Sequence, residues 1–154
     1  MIGARILLVD DETVFTDNVS KLLEARGYIV TVADSGPSAL RSLEQGFYDV
    51  VVLDLKMPGM DGVAALRKMK KLPLFTEVLI LTGHGSIDSA LEALKLGAYD
   101  YLTKPCEIDE LVKKIEGAWT KKDGAEKQDL ENKVKKMIES PLSAYDLFPK
   151  KKRP

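Results

Sequence analysis

The sequence predicts an α/β fold: a doubly wound five-stranded parallel sheet of order 2-1-3-4-5 with five flanking helices, followed by a short C-terminal helical tail. Three observations carry that expectation. Apolar runs of strand length alternate five times with amphipathic segments over about 120 residues, as βα units do. The run Val50-Val51-Val52-Leu53 is apolar throughout, which suits a strand buried on both faces. It ends on Asp54, and in open α/β sheets ligands bind in the crevice outside the carboxyl ends of the strands. Periodicity does not reveal strand order. The order chosen is the one that suits five units, and it makes the ends of the first and third strands neighbours.

Each element has its own local signature. Ile6-Leu7-Leu8-Val9 is the first strand. Thr13 to Arg26 is the first helix, with Phe15, Val19, Leu22 and Leu23 on one face, and Gly27 stops it. Tyr28 to Ala33 alternates as a more exposed strand. Gly36-Pro37 starts the second helix, because proline suits the first helical position; Ala39, Leu40 and Leu43 form its inner face and Gly46 ends it. The third strand runs through Asp54 to a turn at Pro58-Gly59. Asp61-Gly62 opens a third helix reaching Lys70, and Pro73 marks the following loop. Val78-Leu79-Ile80-Leu81 is the fourth strand. It enters the loop Thr82-Gly83-His84-Gly85-Ser86, where Ser86 is the expected N-cap. The fourth helix carries Ile87, Ala90, Leu91 and Leu94 at helical spacing, and Gly97 ends it. Ala98 to Leu102 is the fifth strand. The fifth helix begins near Ile108, with Asp109 and Glu110 in the first turn, where the helix dipole favours acids. Leu111, Val112, Ile115 and Trp119 face inward.

Composition bounds the function. With 154 residues, 45% hydrophobic and 31% charged, the chain reads as an ordinary globular protein large enough for one sizeable core. A net charge of −1 points to no polyanion partner. The charge is uneven: residues 1–120 hold 13 Lys and Arg against 18 Asp and Glu, and residues 121–154 hold 10 against 6. The single cysteine, Cys106, cannot form an internal disulfide, which suits a reducing compartment. No apolar run spans a membrane, and the first residues lack a signal-peptide layout, so a cytoplasmic protein with no membrane contact is expected.

The predicted order gathers Asp10-Asp11 after the first strand, Asp54 after the third, Thr82 after the fourth and Lys104-Pro105 after the fifth. Three carboxylates in one crevice repel each other. A hard divalent cation relieves that, and Mg²⁺ favours a few carboxylates plus water and substrate oxygens. Carboxylates, Mg²⁺, a hydroxyl and a lysine together can bind and receive a phosphoryl group, a reaction that asks mostly for positioning and charge neutralisation.

Leu8-Val9-Asp10-Asp11, Val52-Leu53-Asp54-Leu55-Lys56-Met57-Pro58-Gly59-Met60-Asp61-Gly62, Leu81-Thr82 and Tyr101-Leu102-Thr103-Lys104-Pro105 resemble the receiver domain of two-component response regulators, a CheY-like superfamily with flavodoxin-like strand order. The resemblance covers residues 4 to about 120 and is specific because all the motifs occur in order, each at a strand's end. It implies a receiver domain over residues 1–122; beyond it, residues 123–154 read as linker, amphipathic helix and basic tail. It also implies the roles. Asp54 is the phosphorylated residue and takes its phosphoryl group from a sensor histidine kinase or phosphotransfer protein. Asp11 and Asp54 ligate Mg²⁺ with the backbone carbonyl of Lys56, and Asp10 acts mostly through metal-bound water. Lys104 pairs with phosphoryl oxygens. Thr82 and Tyr101 form the switch, and Pro105 follows a cis peptide. The protein is then no enzyme in the ordinary sense, catalysing only its own phosphorylation and dephosphorylation. Lys56 and His84 occupy positions that vary among relatives and flank the path of the hydrolytic water, which makes them candidates for tuning the lifetime of the phosphorylated state. Cys106 is read as a small buried hydrophobe.

The tail carries Leu130, Val134, Met137 and Ile138 as one apolar stripe, and Ser140-Pro141 ends that helix. Trp119 to Gly124 looks like a helix end and short linker. The stripe has three readings: docking on the receiver, pairing with a second chain, or extension of the fifth helix. Lys150-Lys151-Lys152-Arg153 reads as a solvated end rather than a nucleic-acid contact. A stand-alone receiver is expected, its output read on the face of the fourth helix, fifth strand and fifth helix. Asp88, Glu92, Lys95, Asp100, Lys113 and Lys114 supply charges there for a homodimer promoted by phosphorylation. Three rivals stand beside this reading, one of them a DNA-binding regulator acting through the tail, whose salt-dependent DNA retention would be lost on deleting residues 141–154. An aspartate-nucleophile phosphatase would resemble Asp-x-Asp after the first strand, a spacing that Asp10-Asp11-Glu12-Thr13 lacks. A phosphorylation-independent interaction module would typically have lost a site residue, and none is lost.

Overall fold

Residues 3–57, 59–83 and 87–139 are described by the structure, a computed structural model. The chain forms β1 (Arg5–Val9), α1 (Thr13–Glu24), β2 (Ile29–Ala33), α2 (Gly36–Gln45), β3 (Val50–Leu53), α3 (Gly62–Met69), β4 (Glu77–Thr82), α4 (Ile87–Lys95), β5 (Asp100–Thr103) and α5 (Ile108–Glu139). All strand pairs are parallel, as the βα alternation predicts, and the sheet order is β2-β1-β3-β4-β5, the doubly wound order expected for five units. Pro58, the His84-Gly85-Ser86 segment, Ser140-Pro141 and the basic cluster 150–153 lie outside the described residues.

The apolar strands feed two cores by simple alternation, since successive strand residues point to opposite faces. Leu7, Val9, Val51, Leu53, Val78 and Ile80 meet Ala39 and Leu43 of α2, Ala65, Leu66 and Met69 of α3, and Ala90 and Ala93 of α4. Ile6, Leu8, Val50, Val52, Leu79 and Leu81 meet Leu23 of α1 and Leu111, Ile115 and Ala118 of α5. The helix starts also follow local chemistry. Ser35 caps α2 by accepting from the Ser38 N–H at 3.2 Å, and Asp61 caps α3 by accepting from Ala64 N–H at 2.8 Å.

Three expectations change. Leu22 is 48% exposed, and Leu23 alone of that pair is buried, because α1 turns a narrower face to the sheet. In α4 the buried residues are Ala90 and Ala93, while Ile87 and Leu91 are 53% and 48% exposed; small side chains let the helix lie close to the sheet. The linker expected near Trp119–Gly124 is helix, and α5 runs unbroken through Gly124. One interior glycine costs a helix only about 1 kcal/mol. Around it, Ala125 to Gln128 are good helix formers, and Lys127–Asp123 and Lys133–Asp129 pair at i,i+4, 3.0 and 2.9 Å apart.

The chain divides into two units, Met1–Lys122 and Asp123–Pro154. In the second, Leu130, Val134, Met137 and Ile138 are all at least 43% exposed. No helix among the described residues is long and apolar enough to cross a membrane.

Candidate functional site

Parallel pairing sets the strand ends side by side. Val9 is in register with Leu53, Leu53 with Ile80, and Thr82 with Thr103. The pairing continues one residue further: Asp54 N–H donates to the Val9 carbonyl at 2.9 Å, and Lys104 N–H to the Thr82 carbonyl at 2.6 Å. Asp10, Asp54, Thr82 and Lys104 therefore lie along one end of the sheet, and the first three each follow a buried strand residue, Val9, Leu53 and Leu81.

Three carboxylates converge there. One oxygen from each of Asp10, Asp11 and Asp54 lies within 4.8 Å of the others; Asp10 and Asp54 are buried and Asp11 is exposed. These acids are not used up as helix caps: Glu12 is the N-cap of α1 and no side chain caps it. Asp10 does accept from the Glu12 N–H at 3.0 Å, and Asp54 accepts from the Lys56 N–H at 3.2 Å. Burial pushes the Asp54 carboxyl up to about 6, with the neighbouring Asp10 and Asp11 charges adding to the rise, while the Lys56 N–H and Lys104 pull it down. A cluster of hard oxygen donors with one acid held that high is a fit for a divalent cation of the Mg²⁺ or Ca²⁺ type. Asp10, Asp11 and Asp54 are the residues that could hold it.

Lys104 sits among these acids. Its ammonium donates to Asp10 at 2.6 Å and lies 3.6 Å from Glu12 and 3.8 Å from Asp54. Burial alone would lower its pKa, but the Asp10 hydrogen bond and the surrounding carboxylates raise it, so it stays charged. The same Nζ lies 4.3 Å from the centre of the Phe15 ring. The Lys104–Pro105 peptide is cis.

The remaining site residues are placed as follows. Thr82 is fully buried, and its hydroxyl finds no partner among the described residues. Tyr101 is half-buried against the core shared with α3 and α4. The Lys56 side chain is exposed. Cys106 is half-buried beside the α1–α5 core, with its thiol pKa raised by burial. On the α4–β5–α5 face, Asp100 pairs with Lys114 and Glu92 pairs with Arg67 at 3.5 Å. Sequence reading assigned Phe15 to the core alone and missed its ring over Lys104; the available signal was its position in the first turn of α1, beside the crevice. It also missed Asp49 and Glu77 at the opposite end of the sheet, which pair with Lys122 at 2.7 Å and Lys121 at 3.6 Å.

Comparison with known proteins agrees with this geometry. Residues 6–116 match the response regulator receiver domain family. The chain is 40% identical over 114 residues to the transcriptional regulatory protein FixJ of Bradyrhizobium diazoefficiens, covering 74% of this chain and 56% of FixJ. It is 42% identical over 113 residues to the transcriptional regulatory protein ZraR of Escherichia coli K12, covering 73% of this chain and 26% of ZraR. The chain thus spans between a quarter and somewhat over half of these relatives. Among solved structures, a response regulator receiver domain protein from Clostridium thermocellum superposes with a TM-score of 0.75 at 40% identity, covering 78% of this chain and 97% of that one. A CheY-like receiver domain protein from Methanospirillum hungatei gives 0.76 at 31% identity, covering 80% and 98%. Sequence motifs, strand order, strand-end acids and these likenesses converge on one statement: the chain belongs to the response regulator receiver domain family.

Proposed function

We propose that this receiver is a Mg²⁺-dependent phosphorylation switch in which Asp54 accepts a phosphoryl group from the phosphohistidine of a sensor kinase or phosphotransfer protein. The observation that carries this reading is the convergence of the Asp10, Asp11 and Asp54 carboxylates within 4.8 Å, with the Lys104 ammonium among them. An Asp54 oxygen attacks phosphorus, the P–N bond to imidazole breaks, and a P–O bond to Asp54 forms. Lys104 neutralises the phosphoryl oxygens as they arrive. Asp11, Asp54 and the Lys56 carbonyl would hold the metal, with Asp10 acting through its bound water. When bound, Mg²⁺ supplies the charge neutralisation that lets an anionic donor approach a crowd of carboxylates. The Thr82 hydroxyl, which has no partner among the described residues, is the natural donor to the new phosphoryl group, and Tyr101 follows its movement. Phosphorylation then biases two existing conformations.

The output is proposed to be read on the α4–β5–α5 face, with phosphorylation-promoted pairing of two copies. The names of FixJ and ZraR are those of transcriptional regulators, and the chain matches only part of each. Those relatives favour an output on transcription over the stand-alone reading, which they do not support. The test is intact-mass spectrometry after incubation with acetyl phosphate and Mg²⁺, with Asp54→Asn as control. One metal-dependent phosphoryl adduct that is absent in the control is expected. An adduct that persists in the Asn variant would overturn the assignment of Asp54.

A further inference from the structure

We propose that Phe15 is the positioning residue of Lys104: its ring holds the ammonium in the acidic crevice beside Asp54. The inference rests on the reading of Asp54 as phosphoryl acceptor. Four observations place the ring in that role. Lys104 Nζ lies 4.3 Å from the ring centre, within the roughly 6 Å over which an aromatic face attracts a cation. The Lys104 side chain is 16% exposed, so the attraction acts in a largely desolvated setting. Phe15 is half-buried in the first turn of α1 and packed against the α1–α5 core, so the ring is anchored. The carboxylates around the ammonium compete for it, Asp10 at 2.6 Å, Glu12 at 3.6 Å and Asp54 at 3.8 Å.

The physical argument concerns donors. An ammonium has three N–H groups on a flexible stem, and in water it is strongly hydrated. One N–H is given to Asp10. A further carboxylate clamp would fix the ammonium but take up the donors that an incoming phosphoryl group needs. An aromatic face attracts the charge without accepting a conventional hydrogen bond. The ring therefore restrains Lys104 while leaving donors free. It also opposes the pull of Glu12, whose side chain is 65% exposed and would draw the ammonium toward solvent. An aliphatic residue at position 15 would fill the core equally well and supply none of this.

The test compares the full chain with Phe15→Leu, which keeps the apolar packing, and Phe15→Tyr, which keeps the ring. Nuclear magnetic resonance of the Lys104 methylene protons reads the contact without any phosphoryl chemistry. A ring-current shift is expected in the parent and in Phe15→Tyr and lost in Phe15→Leu; an unshifted parent overturns the proposal. Beryllofluoride affinity at saturating Mg²⁺ reads the consequence. Phe15→Leu should weaken it about 2- to 30-fold, the range equivalent to such a contact, and Phe15→Tyr should retain it. In a Lys104→Met background the Phe15→Leu loss should vanish. An equal loss in both backgrounds assigns Phe15 to packing alone and overturns the proposal. If the parent binds no beryllofluoride, the phosphorylation reading itself fails and the positioning role falls with it, while the resonance shift still decides whether ring and ammonium meet.

Discussion

Replacing Asp54 with Asn should stabilise the metal-free protein, although it removes the residue at the centre of the site. Asp54 is 4% exposed, and its carboxyl is raised from 3.8 to about 6, first by burial and then by Asp10 and Asp11. A folded-state pKa above the unfolded one means that ionisation opposes folding. Below about pH 3.8 both states hold the proton and there is no penalty. The penalty grows as pH rises from about 3.8 to 6, and it is constant above that. That rise in the Asp54 pKa corresponds to about 3 kcal/mol near pH 7.5 and about 1 kcal/mol near pH 4.5. Asn removes the ionisation, keeps an oxygen for the Lys56 N–H, and offers an amide donor to the neighbouring carboxylates. Urea unfolding of both proteins in the presence of a chelator, at about pH 7.5 and 4.5, should therefore give a gap of about 3 kcal/mol that narrows to about 1. An Asn variant no more stable than the parent near pH 7.5, or a gap that ignores pH, would refute the reasoning.

Three further outcomes follow from the same geometry. Mg²⁺ should stabilise the parent by about 2.7 kcal/mol at 100 times its Kd, and Asp54→Asn much less; a higher melting temperature with the ion than without it, in the parent, checks this. Thr82→Val should stabilise the unphosphorylated protein by about 1 kcal/mol, because a buried hydroxyl without a partner among the described residues is exchanged for a methyl group; a lower urea midpoint would count against it. Gly62→Ala should cost about 1–3 kcal/mol or more, since a Cβ there would stand 2.6 Å from the Asp54 carbonyl oxygen and closer still to the Leu55 backbone; it should also slow acetyl-phosphate labelling, and unchanged stability would contradict the tight approach of α3.

The fold was legible because a parallel sheet demands continuous apolar strands, and Val50–Leu53 and Val78–Leu81 supply them. The site was legible where it depends on position along the chain: Asp54, Thr82 and Lys104 each follow the last core residue of a strand or lie at its end. What could not be read depends on geometry between distant segments. That Lys104 reaches Asp10 before Asp54, and lies over Phe15, joins residues about ninety positions apart. The inner face of α4 is only partly legible: Ala90 belongs to the apolar stripe at helical spacing, but so do Ile87 and Leu91, whereas close helix–sheet approach selects Ala90 and Ala93. Gly124 was misread because a glycine marks a helix end only when its neighbours also disfavour helix, and here they do not.

The alternation of Val50 and Val52 into one core with Val51 and Leu53 into the other has a consequence for how this domain tolerates changes of length. A residue inserted within β3 would exchange the two sets of side chains between the cores and carry Asp54 past the end of its strand. No such count operates in the segment 71–75, where four of the five residues are exposed and no site residue is carried. Chain length is therefore fixed at the chemical edge of the sheet and free at the opposite one. That makes the segment before β4 the place to splice a reporter or open a permuted terminus without disturbing the acids.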